Sequence, residues 1–404
     1  MQSGRFKSHR ARGPSQAHRL FHNYKSGIYG GGTVLLVLIM LFTYQDLSEA
    51  ALPSEKDSFQ YAGCSDTASP CTMRRMTFPC SGEVCEGWLF LPTAARGGGG
   101  IYPLIVMGCG MGLQKDFGLD RFAKSFNEAG YPVFAFDYRG FGGSSGLPRN
   151  LVQGDSHVED YLSALRFIGS SSGEFEVLSD GGSEVVLWGA SYAGGHVLKA
   201  AQRLSSLKER GGGFRYPRIR KIISIVPYLN AWSSLRSSLP SFSLGLLCKL
   251  PVALTWDLLS LLTFGIVPAP WIPLTAEPGH LALMNTPGSK TDYLSLIPYP
   301  GGCERSTKTF GGDPCRGWRN TTPIRSLWYA LNYVVEPCVM HVSEPVLLIG
   351  TELDTLTPTA PMKRLCARKA NFDCVFYNDK GHFEVYQSLY DETVSRMLQF
   401  LRAP

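Results

Sequence analysis

The sequence predicts an α/β fold: a mostly parallel sheet covered by helices on both faces, with a helical cap inserted late in the chain. Three observations lead there. Strand-like and helix-like stretches alternate from Val84 to Ile225, the signature of parallel strands joined by crossover helices. The stretch "VVLWGASYAGGH", Val185 to His196, turns abruptly from strand-forming residues to small, helix-compatible ones. Two later strands, near Pro345 and Cys374, each run into a polar loop that carries a titratable residue. At 404 residues the chain has room for more than one domain, yet α/β domains with insertions also reach this size.

In chain order, a basic arm (residues 1–27) comes first. Residues 1–45 hold six Lys or Arg and no Asp or Glu, against 39 basic and 33 acidic residues in the whole chain. Outside the arm the charges therefore balance, so no nucleic-acid surface is indicated. Residues 28–45 carry no charge, Thr33 to Tyr44 among them is almost wholly apolar, and they approach the ~20 residues that span a bilayer. They read as a signal anchor or as a cleaved signal peptide. The long basic flank favours the anchor, and hence a single-pass type II protein with a lumenal or extracellular body and the membrane as a partner; secretion is the alternative. A cysteine-containing linker, 46–71, follows.

The first part of the core spans 72–231. It contains an early strand, "PLIVMGCGMG" (Pro103 to Gly112), a helix after Asp116, a strand at Pro132 to Asp137, a helix from about Ser156, then the corner strand and its helix, and "RKIISIVPYL". At the corner, Val185 to Trp188 read as a buried strand and Tyr192 to Ala201 as a helix, so Ser191 is forced to the apex between them. Gly189 and Gly194 supply the freedom such a turn needs. An ordinary glycine-rich turn is the bland alternative.

A serine hydroxyl becomes a nucleophile only with a histidine base that a carboxylate orients. Both partners are present downstream. "EPVLLIGTELDTLTP" reads as a strand, Pro345 to Ile349, running into a loop with Asp354; Glu352 is its rival. "CVFYNDKGHFEVY" reads as a strand, Cys374 to Tyr377, then a turn and His382. His196 lies in the helix after the corner and reads as a packing residue. The oxyanion formed on attack needs two backbone N–H groups. Tyr192, after the nucleophile, and Met111, in the glycine-rich loop after the early strand, are the candidates. Cys109 in that loop is a weaker, alternative nucleophile.

From about Thr72 to Leu401 the chain resembles the serine hydrolase branch of the α/β-hydrolase superfamily. The carriers are Gly110 to Ala123, Phe136 to Ser144 and Gly194 to Val197, runs shared with bacterial and fungal esterases, serine-aminopeptidase-like proteins and polyketide transferases. The resemblance implies the nucleophile elbow G-x-S-x-G, here ending in Ala193, and the chain order Ser191, Asp354, His382. It also implies that residues 232–342 form a cap before the core resumes at 343–404; within the shared run, Asp137 and Arg139 read structurally, as braces of the loop beside the site that do not touch the reacting atoms. In that cap "LGLLCKLPVALTWDLLSLLTFGIVPAPWIPL", Leu244 to Leu274, reads either as helices buried on the core or as the lining of an acyl pocket or a bilayer contact. The run "CRGWRNTTP" echoes a tryptophan-arginine-asparagine run of the relatives and has no role legible in sequence.

Eleven cysteines, several closely spaced (Cys64, Cys71, Cys80, Cys85; Cys303 and Cys315; Cys366 and Cys374), suggest an oxidised framework. Zinc is the other reading of the first four. Cys109 and Cys248 read as free. Asn320 heads a glycosylation sequon. The expectation is a serine esterase that cleaves carboxylic esters with a hydrophobic part through an acyl-enzyme, acting on a small-molecule or lipid-like acyl substrate. No cofactor or metal is implied. An acyltransferase, thioesterase or peptidase on the same triad, or a lumenal binding module without catalysis, are the alternatives.

Overall fold

The computed structural model describes residues 72–92, 102–170, 175, 183–209, 214–242, 244–263, 267–297 and 318–403, without the side chains of 244–249. All of them belong to the unit Ala50–Pro404. Its centre is an eight-stranded sheet. In chain order the strands are β1 (Thr72–Cys80), β2 (Glu83–Leu91), β3 (Leu104–Gly108), β4 (Val133–Phe136), β5 (Glu184–Ala190), β6 (Arg218–Ile225), then β9 (Val346–Thr351) and β10 (Phe372–Tyr377). Their spatial order is β1-β2-β4-β3-β5-β6-β9-β10, with β2 antiparallel to both its neighbours and every other pair parallel. The central strands are continuous apolar runs because helices cover both faces.

Those helices sort by side-chain alternation. On β5, Trp188 packs against Phe122 of α1 (Leu119–Glu128) and Met397 of α10 (Tyr390–Arg402). Its neighbour Gly189 faces the opposite way, towards Ala193 of α3 (Tyr192–Glu209), which packs beside α2 (Gly154–Ser170). The strands and helices of the core thus put the carboxyl ends of β3, β5, β9 and β10 along one edge, where parallel sheets bind ligands.

Between β6 and β9 lie α4 (Ala231–Ser238), α5 (Leu244–Leu262), β7 (Trp271–Pro273), α6 (Ser289–Ser295), β8 (Thr321–Pro323), α7 (Arg325–Asn332) and α8 (Glu336–Val339); α9 (Thr359–Cys366) follows β9. The β7–β8 pair is antiparallel and was not expected, since three-residue strands rich in proline leave no alternation to read. Asn320, head of the sequon, uses its side-chain amide to join this pair to the next turn: Nδ2 donates to Thr275 O (2.9 Å) and Oδ1 accepts from Thr275 N (3.0 Å). Asp257 of α5 is buried and bound by Arg325 (3.0 Å), while Leu258, Leu259, Leu261 and Leu262 are exposed.

The expectation of an N-terminal membrane anchor is corrected. Residues 28–45 lie outside the described residues, and among those described no helix is long and apolar enough to cross a membrane. Among the described residues, therefore, no helix carries the transmembrane signal anchor, the type II placement or the membrane as a partner. Two disulfides are present among the described residues, Cys80–Cys85 and Cys366–Cys374, and they fit an oxidising compartment. Cys64, Cys71, Cys303, Cys315 and the side chain of Cys248 are outside the described set.

Candidate active site

Ser191 sits between β5 and α3 with φ at +59°, in the left-handed region that a side chain enters only when its surroundings impose it. Three backbone hydrogen bonds do so. Ser191 N donates to Ile225 O (2.8 Å), and Ser191 O accepts from Gly194 N and Tyr228 N (3.0 Å each). Gly189 makes the corner possible, because a Cβ there would lie 2.2 Å from Ala193 O. Position 193, where the elbow pattern has glycine, holds an alanine that is fully buried in the helix start.

His382, on a short 3-10 turn after β10 (His382–Tyr386), brings Nε2 to 2.9 Å from Ser191 Oγ. Its Nδ1 lies 2.6 Å from Asp354 Oδ2. Asp354 is fixed by its own loop: Oδ1 accepts from Leu356 N (2.8 Å) and Thr357 N (2.7 Å), and the Thr357 hydroxyl lies 2.7 Å from Oδ2. Serine, imidazole and carboxylate thus stand in one chain of hydrogen bonds, and Asp354 and His382 are both buried. This is the geometry of a Ser-His-Asp triad for ester hydrolysis. Thr357 is the member that sequence reasoning missed; the only hint was a threonine three residues after the acid.

The rival residues are placed elsewhere. Glu352 points to Lys363 (2.8 Å) near the surface. His196 is buried in α3 with Nδ1 2.7 Å from the Tyr333 hydroxyl. Cys109 is a buried free thiol, and burial, followed by the Asp137 carboxylate, pushes its pKa up, so it stays protonated and is a poor nucleophile. Cys80 and Cys85 lie near Asp160, but their sulfurs are joined to each other, which removes the thiolates zinc would need.

The loop after β3 runs beside the nucleophile: a Cβ on Gly110 would lie 3.5 Å from Ser191 Cβ. Met111 and Tyr192 border the same cavity as Ser191. The far end of the loop is tied to the core by a buried ion cluster. Lys115 Nζ reaches Glu86 Oε1 (2.8 Å) and Asp137 Oδ2 (2.5 Å), and Lys115 N donates to Asp137 Oδ1 (2.7 Å). Arg139 instead binds Asp160 and so holds the loop after β4 to α2.

Two cavities meet at Ser191. The larger, about 90 Å³, is walled mainly by α4, α7 and residues 282–285. None of the described side chains of the apolar run Leu244 to Leu274 lines it; within that run Leu258, Leu259, Leu261 and Leu262 are exposed, and Leu274 packs against Gly112. The smaller, about 10 Å³, lies on the His382 side, between Leu113, Leu296, Phe383 and Tyr386. Among the described residues neither wall includes Lys, Arg, Asp or Glu.

Comparison with known proteins agrees with this architecture. The chain is 29% identical over 319 residues to the quorum-quenching protein AidA of Acinetobacter baumannii, covering 79% of this chain and 90% of that one. It is 24% identical over 324 residues to the polyketide transferase grgF of a Penicillium species, covering 80% and 92%. The crystal structure of GrgF from Penicillium sp. sh18 superposes with a TM-score of 0.58 at 22% identity, over 82% of this chain and 98% of that one. The model of the alpha/beta hydrolase family matches residues 105–396, well over half of the chain and every strand from β4 to β10. A match of that extent around an assembled serine-hydrolase triad is membership, and the chain belongs to the alpha/beta hydrolase family.

Proposed function

We propose that the protein is an acyl-transfer enzyme: it takes an apolar acyl group from an ester or thioester onto Ser191 and passes it to water or to an acceptor hydroxyl. The observation that carries this reading is the pair of uncharged cavities that meet at Ser191, one for the acyl chain and one, beside His382, for the leaving group and the acceptor.

In the first half-reaction His382 Nε2 takes the proton of Ser191 Oγ as that oxygen attacks the acyl carbonyl, and Asp354 steadies the imidazolium. The N–H groups of Met111 and Tyr192 hold the oxyanion. His382 then protonates the departing alcohol or thiol. The second half-reaction runs the same steps with the acceptor as nucleophile. Water as acceptor gives the esterase first read from the sequence. The full-length likeness to a protein named polyketide transferase favours an acyl acceptor other than water as the productive partner.

The test is mass spectrometry of the protein mixed with an oxoester and a thioester of one medium-length acyl group, with and without added alcohol. The expected result is the same acyl adduct on the Ser191 peptide from both donors, none in Ser191→Ala, and a rising share of new ester as alcohol is added. A folded wild type with no adduct, or a Ser191→Ala variant that turns over as fast, defeats the proposal.

A further inference from the structure

We infer that Tyr293 and Trp318, both from the segment between β6 and β9, are positioning residues that hold the oxyanion loop by its carbonyls. The inference rests on the proposed role of the Met111 amide. Tyr293 Oη donates to Met111 O (2.9 Å), and Trp318 Nε1 donates to Gly112 O (2.8 Å). Both side chains are 1% exposed, so each donor is held where water does not compete for it. Burial raises the Tyr293 phenol well above its ordinary range, which keeps it a donor.

The loop needs such support. Its N-terminal side is β3 and its C-terminal side is clamped at Lys115 N by Asp137. The turn between them closes through Leu113 N and Gly110 O at 3.4 Å, longer than a good hydrogen bond. Gly112 has φ at +71°, a backbone freer than any other residue type would be. Each peptide unit is planar, so a bond that fixes one carbonyl also fixes the N–H across the same unit. Carbonyls 111 and 112 share their units with the N–H groups of Gly112 and Leu113, so holding both fixes the turn on both sides of Gly112; the Met111 N–H lies one unit earlier, with the Gly110 carbonyl, and is steadied through the Met111 Cα that the fixed 111–112 unit anchors. The same segment presses from above: a Cβ on Gly112 would lie 2.5 Å from Leu274 Cδ2. Tyr293 also stands over the histidine loop, with its ring 6.3 Å from Phe383. The tryptophan of the run "WRN" thus acquires a role: it ties the inserted segment to the loop that stabilises charge.

A hydrogen bond that only filled a core would change stability. One that aims an amide at a developing oxyanion changes the transition state and leaves ground-state binding alone. Tyr293→Phe removes a single oxygen atom, and Trp318→Phe keeps an aromatic ring without the N–H. The experiment measures kcat and KM on an ester, inhibition by a trifluoromethyl ketone of the same acyl chain, and thermal unfolding. The ketone forms a tetrahedral adduct on the serine and so reports the oxyanion donors directly. The expected result is a kcat about tenfold lower in each variant with KM little changed, and ketone affinity weakened in the same proportion. A further fall is expected in the double variant. Folded variants with wild-type kcat overturn the inference, as does a loss confined to KM or a kcat loss with unchanged ketone affinity. If Trp318→Phe does not fold, Tyr293→Phe decides alone. A wild type that forms no acyl adduct fails the functional reading and this inference with it, whereas an active wild type with unaffected variants fails this inference only.

Discussion

Two carboxylates stand two residues apart after β9, and their surroundings give them different work. Glu352 pairs with Lys363 at the surface, where an ion pair contributes little. Asp354 is buried, accepts two backbone N–H bonds and faces His382 Nδ1 at 2.6 Å. An amide at that position has the same shape but can present its NH₂ to the ring and favour the wrong tautomer. Asp354→Asn should therefore lower kcat by about 10⁴-fold, while Glu352→Gln leaves it unchanged; steady-state hydrolysis of an ester checks both. Equal losses in the two variants would reverse the assignment. Asp354 was legible in the sequence because a short apolar strand leads straight into its loop. Thr357 was not, since its hydroxyl meets Asp354 only after the loop has turned back on itself, and nothing in a run of residues announces that turn.

At the scale of elements, the strand-to-helix corner is the piece the sequence shows most plainly and the structure constrains most tightly. Gly189→Ala would put a methyl 2.2 Å from the backbone of Ala193, and neither atom lies on a flexible side chain that could retreat. The variant should lose both thermal stability, by several degrees or more, and esterase activity, because relief of the clash has to move Ser191. Ala193→Gly should keep the corner and cost little beyond helix propensity, at about 1 kcal/mol. Thermal unfolding followed with activity separates the two; a Gly189→Ala protein with normal activity would mean that the corner is looser than its φ of +59° implies. The central strands were legible because burial on both faces writes them as unbroken apolar runs. The segment between β6 and β9 was legible only as an interruption. Its short helices and three-residue strands are held by particular contacts such as Asn320 with Thr275, Asp257 with Arg325 and Trp318 with Gly112, and such contacts leave no periodic trace.

Across the whole molecule, the sheet's helical layer and the inserted segment meet at two buried histidines. His157 of α2 stacks on Tyr138 (4.2 Å between ring centroids), and His196 of α3 lies 5.4 Å from His157 and bonds Tyr333, just beyond α7. Burial lowers the pKa of both: His157 to about 3, and His196 well below its ordinary range, where His157 and Lys199 add to the effect. The unfolded chain takes up protons on these rings near pH 6.5 while the folded one refuses them, so their contribution is complete above that pH and is lost as pH falls towards 3. Asp160, beside Arg139, acts in the opposite sense. Burial pushes it up to about 6 against the pull of Arg139, so between its unfolded value near 4 and pH 6 the folded state holds the extra proton. Two histidines against one aspartate leave a net of about one proton taken up on unfolding between pH 4 and 6. Stability should then rise with pH at about 1.4 kcal/mol per unit across that window. His157→Phe, which keeps an aromatic ring against Tyr138, removes one of the two histidines and should bring the slope near zero. Urea unfolding at half-unit steps from pH 4 to 7 reads both slopes. A wild type whose stability is flat there, or a variant as steep as the wild type, would show that protons reach these rings in the folded state.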